Sequence, residues 1–315
     1  MMEKIAAVAF PGQGAQRPGM GKDFYDDLAV ARQTYEEASA ALGWDVAALC
    51  FAEDERLNLT EYTQPCLLTT EIAAFRSINF RYGFAPRFFG GHSLGEFTAL
   101  VAAEVVPLAE AVKIVHLRGQ LMQQAVPVGI GGMAAVIADP LDMPVLRHAL
   151  QDLPLDVAND NSARQVVISG HLSALPEAEK RLRAAFGNDR GFRFVPLNVS
   201  APFHSRFMKS IEEPFREVLR VAEKDLRPAN AARVTSNFSG DFHSTDPQEI
   251  LSRLTAQLSN TVRWVANMKS LTAETGAIYE IGPSRPLRDF FKTIDADCLS
   301  ITSLSAAERA FRDGN

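Results

Sequence analysis

Arg87-Phe88-Phe89-Gly90-Gly91-His92-Ser93-Leu94-Gly95-Glu96-Phe97-Thr98-Ala99-Leu100-Val101-Ala102-Ala103 is the stretch that decides the reading of this chain. An extended apolar approach over 87–90 meets a helical run that begins just beyond Ser93. Between them lies a Gly-x-Ser-x-Gly pentapeptide, which places Ser93 on a sharp strand-to-helix turn. The two glycines remove Cβ atoms that would collide there, so the hydroxyl is pushed out of the backbone. The first amides of the helix then point at whatever that hydroxyl attacks. The stretch predicts an α/β fold that carries a serine nucleophile.

Outward from this turn the same alternation recurs. Ile5-Ala6-Ala7-Val8-Ala9-Phe10 is a continuous apolar run closed by Pro11-Gly12, as expected of a buried parallel strand. A flexible amide-rich loop, Gly12-Gln13-Gly14-Ala15-Gln16, follows. Helical periodicity runs over 24–42 and 63–80, and a helix over 108–125 carries Arg118. This order predicts a large α/β-hydrolase-like domain with a parallel sheet. Pro127-Val128-Gly129-Ile130-Gly131-Gly132 reads as a hinge. Beyond it the expected order is a strand over 133–138, a helix over 142–150, strands over 155–159 and 165–169, a helix over 173–186 and a strand over 192–199. That is a β-α-β-β-α-β, ferredoxin-like unit. Residues 129–199 are therefore expected to form a small inserted subdomain, with 1–128 and 200–315 as the large domain. A late strand is expected over 277–281.

Composition narrows the function. The chain has 315 residues, 47% of them hydrophobic, which suffices for one large domain or two linked ones. A formal charge of −6 argues against nucleic acid or an anionic membrane as partner. No apolar run approaches the length of a membrane span. The N-terminus contains Glu3 and lacks the apolar core of a signal peptide. Cys50, Cys66 and Cys298 are widely spaced with no CxxC, so reduced thiols in a cytoplasm are expected. Neither the cysteines nor the histidines have metal-ligand spacing, and no metal site is expected.

Ser93 needs a base. His204 sits on the irregular segment Pro202-Phe203-His204-Ser205, where the chain re-enters the large domain. A loop at a domain junction lets a histidine reach a nucleophile across a cleft, which favours His204 over His92, His116, His148, His171 and His243. The amide of Leu94, directly after the nucleophile, is a candidate oxyanion donor, and Gln13 in its Gly-flanked loop is a second. Arg118 lies on a mostly apolar helix. Two readings stay open for it: a solvated side chain covering a helix flank, or a guanidinium fork for a substrate carboxylate.

Together the blocks Phe10-Pro11-Gly12-Gln13-Gly14-Ala15-Gln16, Gly91-His92-Ser93-Leu94-Gly95-Glu96, Arg118-Gly119-x-x-Met122-Gln123, Asn159-Asp160-Asn161-Ser162, Pro202-Phe203-His204-Ser205 and Gln257-Leu258 with Val262-Arg263-Trp264 resemble the malonyl-CoA:acyl-carrier-protein acyltransferases. That family includes the stand-alone fatty-acid enzyme and the acyltransferases of polyketide synthases. The resemblance spans almost the whole chain, in the family's order. It implies a nucleophile at Ser93, a general base at His204 oriented by a backbone carbonyl near Gln257, and an oxyanion hole at Gln13 and Leu94. Arg118 would clamp the malonyl carboxylate, with Gln64, His92, Asn161, Phe203 and Gln257 lining the substrate pocket. Malonyl-CoA would be the donor, the phosphopantetheine thiol of an acyl carrier protein the acceptor, and no cofactor would be bound. Phe203, a bulky ring just before the histidine, goes with malonyl over methylmalonyl in the family.

Two departures stand out. Thr261 occupies a position where the family often has proline, and the late segment reads Gly282-Pro283-Ser284-Arg285-Pro286-Leu287. The surroundings of His204 look closer to discrete acyltransferases serving polyketide synthases that lack their own. Competing readings are an editing acyl hydrolase of the same fold, which in this family tends to lack the arginine, and a non-catalytic carrier-docking module. Arg181, Arg183, Arg190, Arg193 and Lys209 are candidates for a basic docking patch; a solvated helix face is the alternative for each.

Overall fold

The strand β1 (Ala6–Phe10) is buried at every position, as a continuous apolar run demands. It lies at the heart of a parallel sheet in the computed structural model, which describes residues 5–187, 191–199 and 201–312. β2 (Phe88–Gly91) pairs on one side of β1, and β7 (Ala277–Ile281) on the other, with β8 (Cys298–Ile301) beyond it, so the order is β2-β1-β7-β8. All three pairings are parallel. The register sets Phe10 opposite Gly91. The Gln13 loop and the Ser93 turn therefore leave the same edge, the carboxyl ends of neighbouring strands, where open parallel sheets place their ligands.

A second sheet follows the stretch expected as a hinge, whose Gly131 and Gly132 already belong to its first strand. β3 (Gly131–Ile137), β4 (Leu155–Ser162), β5 (Gln165–His171) and β6 (Arg193–Pro196) are antiparallel, in the order β4-β5-β3-β6. Helices Met143–Ala149 and Leu175–Phe186 fill the β-α-β-β-α-β order. This sheet has a core of its own, built on Val136, Leu146, Ile168 and Leu182. The second sheet is tied to the segment that leads into the helix Trp264–Glu274. Val262 exchanges backbone hydrogen bonds with β4, its amide donating to Ala158 at 2.8 Å and its carbonyl accepting from Asp160 at 3.0 Å. Thr261 Oγ1 donates to the Val157 carbonyl at 2.6 Å. A proline there has no hydroxyl, so the departure at Thr261 adds a tie between this segment and β4.

Several elements differ from the sequence expectation. The helix expected over 24–42 is two, Lys22–Asp27 and Ala29–Leu42, parted at Leu28, whose φ of −125° and ψ of 123° are extended. The helix expected from 63 starts earlier and spans Thr60–Tyr82 with Pro65 inside it. Pro65 has no N–H to give the Glu61 carbonyl one turn back. The ring Nδ1 of His116 takes that place, 2.8 Å from the Glu61 oxygen. The strand expected over 192–199 shortens to β6 and ends at Pro196, which cannot donate to a ladder. β8 has no counterpart in the expectation; it is only four residues long and leaves Leu299 exposed.

Candidate active site

Ser93 stands where β2 turns into the helix Leu94–Ala102, with φ 53° and ψ −100°. Such a conformation costs a non-glycine residue on the order of 1–3 kcal/mol, so the surroundings must hold it. A Cβ on Gly91 would fall 2.0 Å from the Gly95 carbonyl, and one on Gly95 would fall 2.1 Å from the Phe10 carbonyl oxygen. Only glycine lets strand, turn and helix close this tightly. Asn237 braces the turn from the far side. Its Oδ1 accepts from the Ser93 amide at 2.6 Å, and its Nδ2 donates to the Gly91 carbonyl at 2.8 Å. The Ser93 N–H is thereby occupied. The Leu94 amide, first in the helix, has no intrahelical acceptor and remains to serve the site.

His204 reaches Ser93 from the re-entry loop. It too has a positive φ, 56°. Its Nε2 lies 2.7 Å from Ser93 Oγ, and its Nδ1 lies 2.8 Å from the Gln257 backbone oxygen. A carbonyl only accepts, so Nδ1 carries the proton and the Nε2 lone pair faces the hydroxyl. Burial, helped by the Arg118 charge, pulls the imidazole down to about 3. The ring is therefore a neutral base through the physiological range.

Arg118, on the helix Leu108–Gln124, is only 1% exposed, which settles its two readings against a solvated flank. Nη1 donates to Gln64 Oε1 at 2.7 Å; Nη2 donates to Gln257 Oε1 at 2.7 Å and to Ser93 Oγ at 3.2 Å. Its Nε is buried without a partner among the described residues. The Phe97 ring lies beneath the guanidinium at 5.3 Å. Burial lowers its pKa to about 10, against the pull of the Glu96 carboxylate. A cation held by amide and hydroxyl oxygens is poised to take a carboxylate.

Ser93, His204, Arg118, Gln64 and Gln257 thus form one bonded cluster. His92 leaves the turn the other way. Its Nε2 is 2.7 Å from Asn161 Oδ1, and its ring meets Trp264 edge-on. Asn161 in turn donates to Gln165 Oε1 at 2.9 Å, so this pair joins the turn to the second sheet. Burial lowers the His92 pKa. Gln13 is half-buried and bonds the Thr60 hydroxyl at 3.2 Å, outside the cluster. Its loop still grips the turn, since a Cβ on Gly12 would fall 2.4 Å from the His92 carbonyl oxygen. A cavity of about 650 Å³ opens beside it, lined by Gln13, Gln16, Asn58, Gln123 and Asn198. Phe203 is buried in the large core immediately before His204.

The comparisons with known proteins agree on one family. Residues 8–286 match the acyl transferase domain. The chain belongs to the acyl transferase domain family. A malonyl CoA-acyl carrier protein transacylase of Bacillus subtilis is 37% identical over 294 residues, covering 91% of this chain and 71% of that protein. One of Staphylococcus aureus is 36% identical over 311 residues, 96% of each chain. Among solved structures, FabD from Acinetobacter baumannii superposes with a TM-score of 0.88 at 36% identity, over 98% of this chain and 97% of that one. A malonyl-transacylase in complex with its type II PKS acyl-carrier protein gives a TM-score of 0.89 at 33% identity, over 99% and 100%.

For this acyl transferase, sequence reasoning missed the support behind the cluster. Glu96, Asn237, Asn267 and His243 are all buried. Glu96 left a trace, a single charge in the otherwise apolar run 94–102; Asn237 left none. The proposed basic patch fares differently. Arg181 pairs with Glu177 at 2.9 Å and Arg183 with Glu179 at 2.6 Å, as solvated helix faces do, while the exposed Lys209 pairs with the buried Glu212 at 2.7 Å. Arg193 is exposed on β6, and Arg190 lies outside the described residues.

Proposed function

We propose that this acyl transferase moves a malonyl group from malonyl-CoA to the phosphopantetheine thiol of an acyl carrier protein, in fatty-acid or polyketide synthesis. The observation that carries this is Arg118. A buried guanidinium touches the Ser93 hydroxyl at 3.2 Å and otherwise bonds only amide oxygens. An acyl group on Ser93 that ends in a carboxylate meets that cation; a neutral acyl group leaves it buried and unmatched, at a cost on the order of 3–5 kcal/mol. An editing hydrolase has no such need of the arginine.

The steps follow from the geometry. His204 Nε2 takes the Ser93 proton as Oγ attacks the thioester carbonyl. Negative charge on the carbonyl oxygen is met by the Leu94 amide and by the backbone of the Gln13 loop. The intermediate collapses, the C–S bond breaks, and His204 returns the proton to the sulfur of coenzyme A. The carrier's thiol then reverses the sequence: His204 takes its proton, sulfur attacks the Ser93 ester, and Ser93 recovers its hydrogen. Arg118 holds the malonyl carboxylate throughout and fixes the ester against water. The ring of Phe203 disfavours an α-methyl branch. His92 and Asn161 line the approach on the side of the second sheet.

The separate sheets and separate cores support the division into 1–128 with 200–315 and an inserted 129–199. Among the described residues no helix is long and apolar enough to cross a membrane. Three free, buried cysteines support a cytoplasmic setting. The test is intact-protein mass spectrometry after separate incubation with malonyl-, methylmalonyl- and acetyl-CoA. Stable malonylation that disappears in Ser93→Ala is expected. Preferential acetylation, or hydrolysis of every donor, would overturn the reading.

A further inference from the structure

Glu96 is fully buried on the helix that begins with Leu94, one turn beyond the nucleophile. Three N–H donors converge on its carboxylate. His243 Nε2 meets Oε1 at 2.8 Å; Gln257 Nε2 and the Asn237 amide meet Oε2 at 2.7 and 2.9 Å. Two of these donors lead directly to the reacting groups. Asn237 is the residue whose side chain straps Gly91 and Ser93. Asn267 fixes that side chain, accepting from Asn237 Nδ2 at 2.8 Å and donating to the Ser236 carbonyl at 2.9 Å.

Gln257 is the more telling link. Its Nε2 donates both to Glu96 and to the Ser93 carbonyl, the latter at 3.0 Å, while its Oε1 accepts from Arg118. Turning the amide over would set its oxygen against the carboxylate and its NH2 against the guanidinium. Two attractive contacts would become two repulsive ones, so Glu96 and Arg118 together admit a single orientation. The same residue presents the backbone carbonyl that receives the His204 Nδ1 proton. A direct Glu96–Arg118 pair would fill the guanidinium fork and exclude a substrate carboxylate. With one intervening amide, the guanidinium has no carboxylate partner of its own among the described residues.

We propose that Glu96 is a positioning residue: acting through the Gln257 amide, it fixes the carbonyl that orients His204 and the oxygen that receives Arg118. This rests on the reading of Ser93 and His204 as the reacting pair, and it does not depend on which acyl group is carried. The test is the rate at which a fluorophosphonate probe labels Ser93, measured beside the thermal midpoint. The probe needs the serine and histidine but no malonyl group or carrier.

Glu96→Gln and Gln257→Met are each expected to slow labelling about tenfold or more, and the double variant to be no slower than the slower single one, since both break the same bridge. A purely structural Glu96 would move the thermal midpoint and leave the effects of the two variants to multiply. Multiplying effects, or wild-type labelling in a folded Glu96→Gln, would overturn the proposal. If Glu96→Gln does not fold, Gln257→Met decides. It leaves Glu96 its His243 and Asn237 donors, and wild-type labelling there would equally overturn the proposal. A wild-type chain that takes the probe but no malonyl group would sink the malonyl reading and leave this one standing.

Discussion

Glu96 and Glu71 are both buried carboxylates packed around the helix Leu94–Ala102, and they are treated in opposite ways. Three N–H donors converge on Glu96. Glu71 receives one bond, from the Thr98 hydroxyl at 2.6 Å, and its Oε1 has no partner among the described residues. Burial, with Glu280 nearby, raises the Glu71 pKa well above the usual carboxylate range. The contrast teaches where this fold spends its polar groups. Donors gather on the side where Ser93, His204 and Arg118 must be aimed. On the other side the acid is left with a single hydroxyl donor, and burial favours its protonated form.

The strongest way to break this contrast is to remove the aimed groups themselves. Ser93→Ala is expected to abolish malonylation, and His204→Ala to slow it by about 10³–10⁴, read as the rate of mass gain. A His204→Ala rate within tenfold of wild type would remove the histidine from the chemistry. Arg118→Ala comes next, with malonyl transfer falling by about 10²–10³ while transfer of neutral acyl groups rises relative to it. Unchanged malonyl transfer would refute the carboxylate clamp.

A pH profile sharpens the same side of the comparison. His204 is lowered to about 3, so its basic form is present above that value. Acylation should hold level as pH falls from 8 to 5, where a histidine at about 6.5 would already have lost most of its base form. A decline centred near 6.5 would show that His204 is not held as the structure has it. The smallest effect belongs to the other side. Glu71 has a raised folded-state pKa, so the unfolded chain ionises first and stability drains away as pH rises from about 4.5 toward that raised value. Glu71→Gln removes the loss. It should leave acylation unchanged and raise the denaturant midpoint at pH 8, with the gain vanishing near pH 4. An equal gain at both pH values would mean that Glu71 does not ionise differently in the two states.

What the sequence disclosed follows the range of the interactions. The turn at Ser93 was legible because strand, glycines, serine and helix are contiguous, and their steric logic is local. The β-α-β-β-α-β order was legible for the same reason. Arg118, Gln64 and Gln257 were not legible from physics alone. They converge from three distant segments, and only the family resemblance assembled them. Asn237 bonds a serine amide 144 positions away and looks like any other loop asparagine. Leu28 interrupts a helix with no glycine or proline to announce it. β8 is short, and one of its few specific ties is Ser300, whose hydroxyl donates to Glu280 at 2.8 Å.

The glycine contacts at the turn carry a practical consequence. Gly95 abuts the Phe10 carbonyl, Gly12 abuts the His92 carbonyl, and Asn237 buttons the turn from a third segment. The nucleophile is therefore not a cassette. A chimera that exchanges 88–103 with a relative's must import that relative's first strand, its following loop and its Asn237 counterpart together, or the serine will arrive out of alignment with a histidine that did not move.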